Sequence, residues 1–205
     1  PLSLVRTEAE LALSETTDEA TRIRLRRMVR AIGESSRSAN QILDHAMVMY
    51  RSDQFAAAPL DLAALTRAVV RAVAPLAEMR DIALSQAGLD SPCPIEGDER
   101  MLEIALRNIL DNAVKYAAPE GQIAVSLGRE GPMAVLRVQD DGRGLSDDPA
   151  QLMARFRRGG NVGDIGGSGL GLTIVTEVAA THRGRFRLEP GEREGTCALL
   201  HLPLA

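Results

Sequence analysis

Arg107–Tyr116 reads RNILDNAVKY. Set on a helix, Asn108, Asn112 and Lys115 fall at i, i+4 and i+7, so one face carries two amides and an ammonium. Ile109, Leu110, Ala113 and Val114 are apolar and predict burial of the opposite side. Amide oxygens suit a hard cation such as magnesium, which keeps several waters and leans on phosphate oxygens. A lysine one turn further on meets a phosphate as a point charge. By itself such a face would be solvated surface. Two glycine-rich segments downstream change its meaning.

Asp140-Asp141-Gly142-Arg143-Gly144 follows AVLRV, an apolar run that reads as a buried strand. The segment is therefore a strand exit, where a ligand can meet backbone. Gly142 and Gly144 permit close approach and positive φ, and Asp140 offers an acceptor-only carboxylate. Asp141, next in line, points to the other side and matters less for a ligand there. Gly166-Gly167-Ser168-Gly169-Leu170-Gly171-Leu172 then leads into TIVTEVAATH, which has helical spacing. A glycine loop opening a helix presents free N–H groups and the positive end of the dipole to phosphate. It matches neither GxxxxGK[ST] nor GxGxxG, so the P-loop and Rossmann fingerprints are absent.

These elements, in this order, resemble the ATP-binding domain of sensor histidine kinases, within the wider GHKL family that includes gyrase, Hsp90 and MutL. RNILDNAVKY resembles the N box, DDGRG the G1 box, MARFRRG the F box and GGSGLGL the G2 box, while Gly195-Thr196 resembles the closing G3 element. The resemblance covers roughly 60–205. It implies that Asp140 reads the adenine amino group, with Gly142 and Gly144 beside it, and that Asn112 holds Mg2+ with Asn108 nearby. It implies that Lys115 contacts phosphate, that Tyr116, Gly167, Gly169, Leu170, Gly171, Leu172 and Thr196 line the ATP site, and that Phe156 and Arg158 belong to a lid over the triphosphate. Met153-Ala154 departs from the usual F box, where an acidic residue is common. Catalysis would rest on Asn108, Lys115 and Arg158 positioning and neutralising the transferred group. ATPases of the wider family place a glutamate at the position of Asn108 as general base. An amide cannot take that proton, so Asn108 points to a kinase rather than to an ATPase or ATP-gated switch. A scaffold that binds nucleotide without turnover is the remaining alternative.

Upstream, residues 1–15 read as one helix and 19–52 as a second, separated by Ser14-Glu15-Thr16-Thr17-Asp18. The second carries a heptad seam at Leu25, Met28, Ile32, Ser35, Ala39, Ile42, Ala46 and Met49, widened by Val29, Leu43 and Tyr50. A stripe this wide favours a four-helix bundle, and two helices cannot close one, so a homodimer is expected. Gly33 weakens the middle of this helix. The division is a hairpin at 1–55, a linker at 56–59 and a catalytic domain at 60–205. The fold class is α+β, the catalytic domain being a sheet covered on one face by helices.

The hairpin resembles the dimerisation and phosphoacceptor element of histidine kinases. In that family the acceptor histidine lies just before Thr-Pro-Leu, whereas this chain opens at Pro1-Leu2. The acceptor is therefore expected to be absent, and the chain to be part of a longer protein, unable to autophosphorylate alone. His45 beside the seam, His182 after the G2 helix and His201 in the last strand are not in acceptor contexts. The resemblance implies a response-regulator receiver domain as partner. It also implies a cytoplasmic portion of a parent anchored in the inner or cell membrane through segments missing here.

Composition agrees. The 205 residues are 45% hydrophobic and 25% charged with net charge −4, which gives no sign of nucleic-acid binding. Aromatics are 2% with no Trp, so aliphatic side chains must build the core. Cys93 and Cys197 have no metal or redox spacing and fit a reducing compartment. No stretch has the apolar length of a membrane span, and no signal peptide is visible.

Overall fold

A computed structural model describes residues 2–145, 169–191 and 194–205. Phe156, Arg158 and Gly167, with the F box and the glycine-rich stretch around them, lie outside the described residues.

The first two helices, α1 (Leu2–Glu15) and α2 (Glu19–Asp53), pack on each other as a hairpin. Asp18 starts α2 by accepting from Thr21 N–H at 2.8 Å, an N-cap that the polar break implied. Along α2 the seam residues Met28 and Ile42 are exposed, as are Leu43 and Tyr50 beside them. Val48 is the exception: it is buried in the core of the following domain.

That domain runs β1 (Ala58–Asp61), α3 (Leu62–Glu78), β2 (Ala83–Ala87), β3 (Pro94–Gly97), α4 (Glu99–Tyr116), β4 (Gln122–Glu130), β5 (Met133–Asp140), α5 (Gly171–Thr181), β6 (Arg185–Pro190) and β7 (Thr196–Pro203). β1 therefore begins two residues inside the stretch read as a linker. Five strands form one sheet in the order β2-β4-β5-β7-β6, parallel only between β2 and β4, and β1 pairs with β3 apart from it. Alternate residues face one side, as strand geometry requires. Ile123, Val125 and Leu127, then Ala134, Leu136 and Val138, join α3, α4 and α5 in one core. The other face carries a small cluster of Val135, Cys197 and Leu199. The fold is α+β, a mixed sheet with helices on one face.

Two helix starts sharpen the sequence reading. Asp98 caps α4, accepting from Met101 N–H at 3.0 Å. α5 starts at Gly171, before its apolar spacing begins, with Leu170 at the cap position. α4 and α5 are antiparallel. His182, after the last turn of α5, bonds Asp98, whereas Gly171 at its start abuts Asn108 and Asn112.

Candidate nucleotide site

Asn108 decides how the α4 face is used. It is buried to 8% exposure, and its Nδ2 donates back to the Ile104 carbonyl at 2.9 Å. That bond turns Oδ1 outward, with no hydrogen-bond partner among the described residues. Gly171 stands opposite: a Cβ there would lie 2.9 Å from Asn108 Oδ1 and 3.7 Å from Asn112 Nδ2. The two amides of α4 and the first turn of α5 thus share one space. In that turn the N–H groups of Gly171, Leu172 and Thr173 precede the first intrahelical bond, from Ile174 to Leu170. Leu170 has no polar side chain to cap them. The buried Thr173 hydroxyl is also without a partner among the described residues.

One turn on, Lys115 Nζ lies 3.0 Å from the Tyr116 hydroxyl and 4.7 Å from the centre of its ring. The Tyr116 carbonyl meets Gly142, where any Cβ would collide with it. Only glycine lets the strand exit pass the end of α4 this closely. A second glycine contact completes the corner. Gly195, at φ 87°, leaves no room for a Cβ against the Asp140 carbonyl, and Gly144, at φ 70°, packs on Gly195.

Asp140 sits at that corner, 6% exposed. Its Oδ1 accepts from Gly142 N–H at 2.9 Å and Thr196 N–H at 3.3 Å, leaving Oδ2 with no partner among the described residues. Burial pushes its pKa up, and the two backbone donors oppose that shift. Asp141 does different work. Its Oδ1 accepts from Ala118 N–H at 3.3 Å and Oδ2 from Gln122 N–H at 2.8 Å, closing the connection from α4 to β4. Sequence gave no sign of that bond, because its partners lie some twenty positions apart.

The described residues thus gather in two groups joined by α4. Asn108 and Asn112 stand against Gly171, with Leu170 and Leu172 beside it and Gly169, at φ 74°, just before. Tyr116, with Lys115 on it, stands against Gly142, with Asp140, Gly144 and Thr196 around that corner. Phe156, Arg158 and Gly167 lie outside the described residues. No cluster of three or more acidic, histidine or cysteine side chains suited to a metal occurs among the described residues. A cation here would rest on amide oxygens. An outward, unpaired Asn108 Oδ1 beside a helix start fits magnesium held jointly with phosphate oxygens.

The family described as "Histidine kinase-, DNA gyrase B-, and HSP90-like ATPase" matches residues 97–205, more than half of the chain. The chain belongs to this family. Among its relatives, Sensor protein kinase PmrB of Pseudomonas aeruginosa is 31% identical over 209 residues, covering 99% of this chain and 43% of that protein. Sensor protein TorS of Escherichia coli is 30% identical over 184 residues, covering 86% of this chain and 20% of that protein. The chain thus spans less than half the length of these relatives. Among solved structures, the mycobacterial sensor histidine kinase MprB superposes with TM-score 0.63 at 29% identity, over 73% of this chain and 98% of that one. Full-length ShkA in complex with AMPPNP superposes over all of this chain with TM-score 0.72 at 22% identity, a likeness of fold alone. Every described residue of the site falls within the stretch matched by this family. No helix among the described residues is long and apolar enough to cross a membrane.

Proposed function

We propose that the chain is the ATP-binding and dimerisation part of a two-component sensor histidine kinase. In this reading ATP is the donor and a histidine of the parent protein receives its γ-phosphoryl group, which then passes to an Asp of a response-regulator receiver domain. The observation that carries the reading is the Asn108 amide, fixed by Ile104 so that its free oxygen faces the open first turn of α5.

The parts divide as follows. Asp140 Oδ2 accepts from the adenine amine. The N–H groups opening α5 and the Lys115 ammonium hold phosphate oxygens. Asn108 and Asn112 would hold Mg2+, which when bound neutralises charge on the phosphates. Arg158 and Phe156 are proposed as further contacts. Nothing in position 108 can take a proton from water, so the arrangement favours transfer to an outside nucleophile over hydrolysis. The hairpin supplies the homodimer, and the parent is anchored in a membrane by other segments, this part being cytoplasmic.

Calorimetry with ATP in magnesium and in EDTA tests the site. Wild type should bind far better with magnesium, and Asn108→Ala should lose that difference. γ-Labelled ATP tests the reaction: His45, His182 and His201 should take no label, whereas a parent protein carrying a histidine in the family's acceptor context should. Acid-labile label on His45, His182 or His201 would overturn the assignment of the acceptor.

A further inference from the structure

The helices that build the nucleotide site are joined at their opposite ends to the hairpin. In the last turn of α2, Arg51 Nη1 lies 2.6 Å from Asp98 Oδ2, and the Ser52 hydroxyl lies 3.0 Å from that of Thr181. Asp98 caps α4, and its own N–H donates to His182 Nε2 at 2.9 Å. The other ring nitrogen, Nδ1, lies 2.7 Å from the Val178 carbonyl one turn back in α5, so Nδ1 carries the proton. Phe55, two residues beyond α2, sets its ring edge-on to His182 with centroids 4.8 Å apart. Gly97 makes room, since a Cβ there would lie 2.8 Å from His182 Cδ2. His182 is 4% exposed and ties the start of α4 to the end of α5.

The rest of the attachment is sparse. Beside the junction a cavity of about 650 Å³ opens between residues 56–60, α3 and the first half of α4, with Arg51 and Asp98 on its wall. Higher up, α2 adds one apolar anchor, Val48, buried in the domain core, and beyond it faces α4 with charges: Arg37 acts on Asp111, and Asp44 on the Arg100 and Arg107 side. Such partly solvated pairs fix no angle by themselves. Buried ring contacts and short bonds do, and they converge on His182 and Asp98.

We infer that Arg51 and Phe55, acting through Asp98 and His182, are the positioning residues that hold the catalytic domain at one angle on the hairpin. The inference rests on the reading that the hairpin side presents the acceptor. Delivery of a phosphoryl group falls steeply when the reacting groups shift by an ångström or so, so the angle set here governs transfer while the nucleotide site keeps its own structure.

The test measures the angle and the site separately. Spin labels at Arg30→Cys, on the exposed flank of α2, and Gly128→Cys, where a Cβ meets open space, report the distance between the two parts. Cys93 and Cys197 are buried and stay unlabelled. Dilution with unlabelled chain leaves only distances within one chain. The double variant Arg51→Met with Phe55→Ala should broaden the distance distribution about two-fold or more, while ATP affinity stays within about two-fold of wild type. Arg51→Lys should restore the narrow distribution, because it keeps a charged donor to Asp98. An unchanged distribution in the double variant would overturn the inference, as would an ATP affinity that falls in step with the broadening. Failure of the wild-type chain to bind ATP would instead sink the proposed function and leave the distance result standing.

Discussion

The carboxylate of Asp140 is held where its charge is unfavourable to the empty protein. Burial raises its pKa above the ordinary value of 3.8, which means the folded state resists its ionisation. A raised carboxylate stabilises below the unfolded pKa and loses that contribution as pH rises through the folded one. At neutral pH Asp140 therefore costs stability, and Asp140→Asn, which keeps the acceptor for Gly142 and Thr196, should melt higher than wild type. Asp140→Ala should weaken ATP binding about ten- to a hundred-fold, the worth of one charged hydrogen bond. Asp141→Ala should do the reverse: normal affinity, but a loss of roughly 1–3 kcal/mol in urea unfolding, because Ala118 and Gln122 lose their acceptor. Normal stability in that variant, or normal ATP affinity in Asp140→Ala, would undo this division. The place of Asp140 was legible because a DxGxG after an apolar run marks a strand exit. The structural work of Asp141 was not, since it answers to backbone groups in another loop.

At the scale of elements, α4 was the most readable part of the chain, because amide spacing and apolar spacing agree on one helix. What the pattern does not encode is how closely α5 approaches it. Gly171→Ala sets a Cβ 2.9 Å from Asn108 Oδ1, inside the space assigned to magnesium and phosphate. The backbone there is helical, so alanine is compatible with the helix itself. ATP affinity in magnesium should drop about ten-fold or more while the melting temperature holds; a parallel loss of both would mean the glycine serves packing instead. The far end of α5 responds to pH. Burial lowers the pKa of His182 below its ordinary 6.5, with the Val178 bond and the Asp98 charge opposing the shift. The unfolded chain takes up a proton that the folded one refuses, so stability should fall as pH drops below about 6.5 and through the folded pKa. Asp98 and, beyond it, Arg51 are the charges that face the ring. Urea midpoints measured from pH 8 to 5 should slope for wild type and slope less for His182→Gln, the remainder coming from His201, whose pKa burial also lowers. That His182 is structural and no phosphoacceptor was legible in the sequence; what it ties together was not, because its partners Phe55, Gly97 and Asp98 lie far from it along the chain.

For the whole molecule, the unresolved demand is the apolar face of the hairpin. Met28, Ile42, Leu43 and Tyr50 are 51%, 59%, 66% and 61% exposed, and α1 adds Leu4 and Leu11 at 65% and 52%. Large side chains exposed in such a row mark an interaction surface. Burying each aliphatic one fully is worth about 1.5–3 kcal/mol, so a handful per chain suffices to offset the entropy of association. A second copy of the same hairpin fits, because the seam alternates threes and fours and is self-complementary about a two-fold axis. The nucleotide-site residues, by contrast, lie on or beside α4, β5, α5 and β7 and on none of the hairpin's exposed face. Dimerisation and ATP binding should therefore separate cleanly. Ile42→Glu with Leu43→Glu should convert the chain to a monomer in sedimentation at micromolar concentration, while calorimetric ATP affinity stays within about two-fold of wild type. A variant that remains dimeric would place the interface elsewhere. One that turns monomeric and loses ATP would mean the partner contributes to the site and would undo the separation.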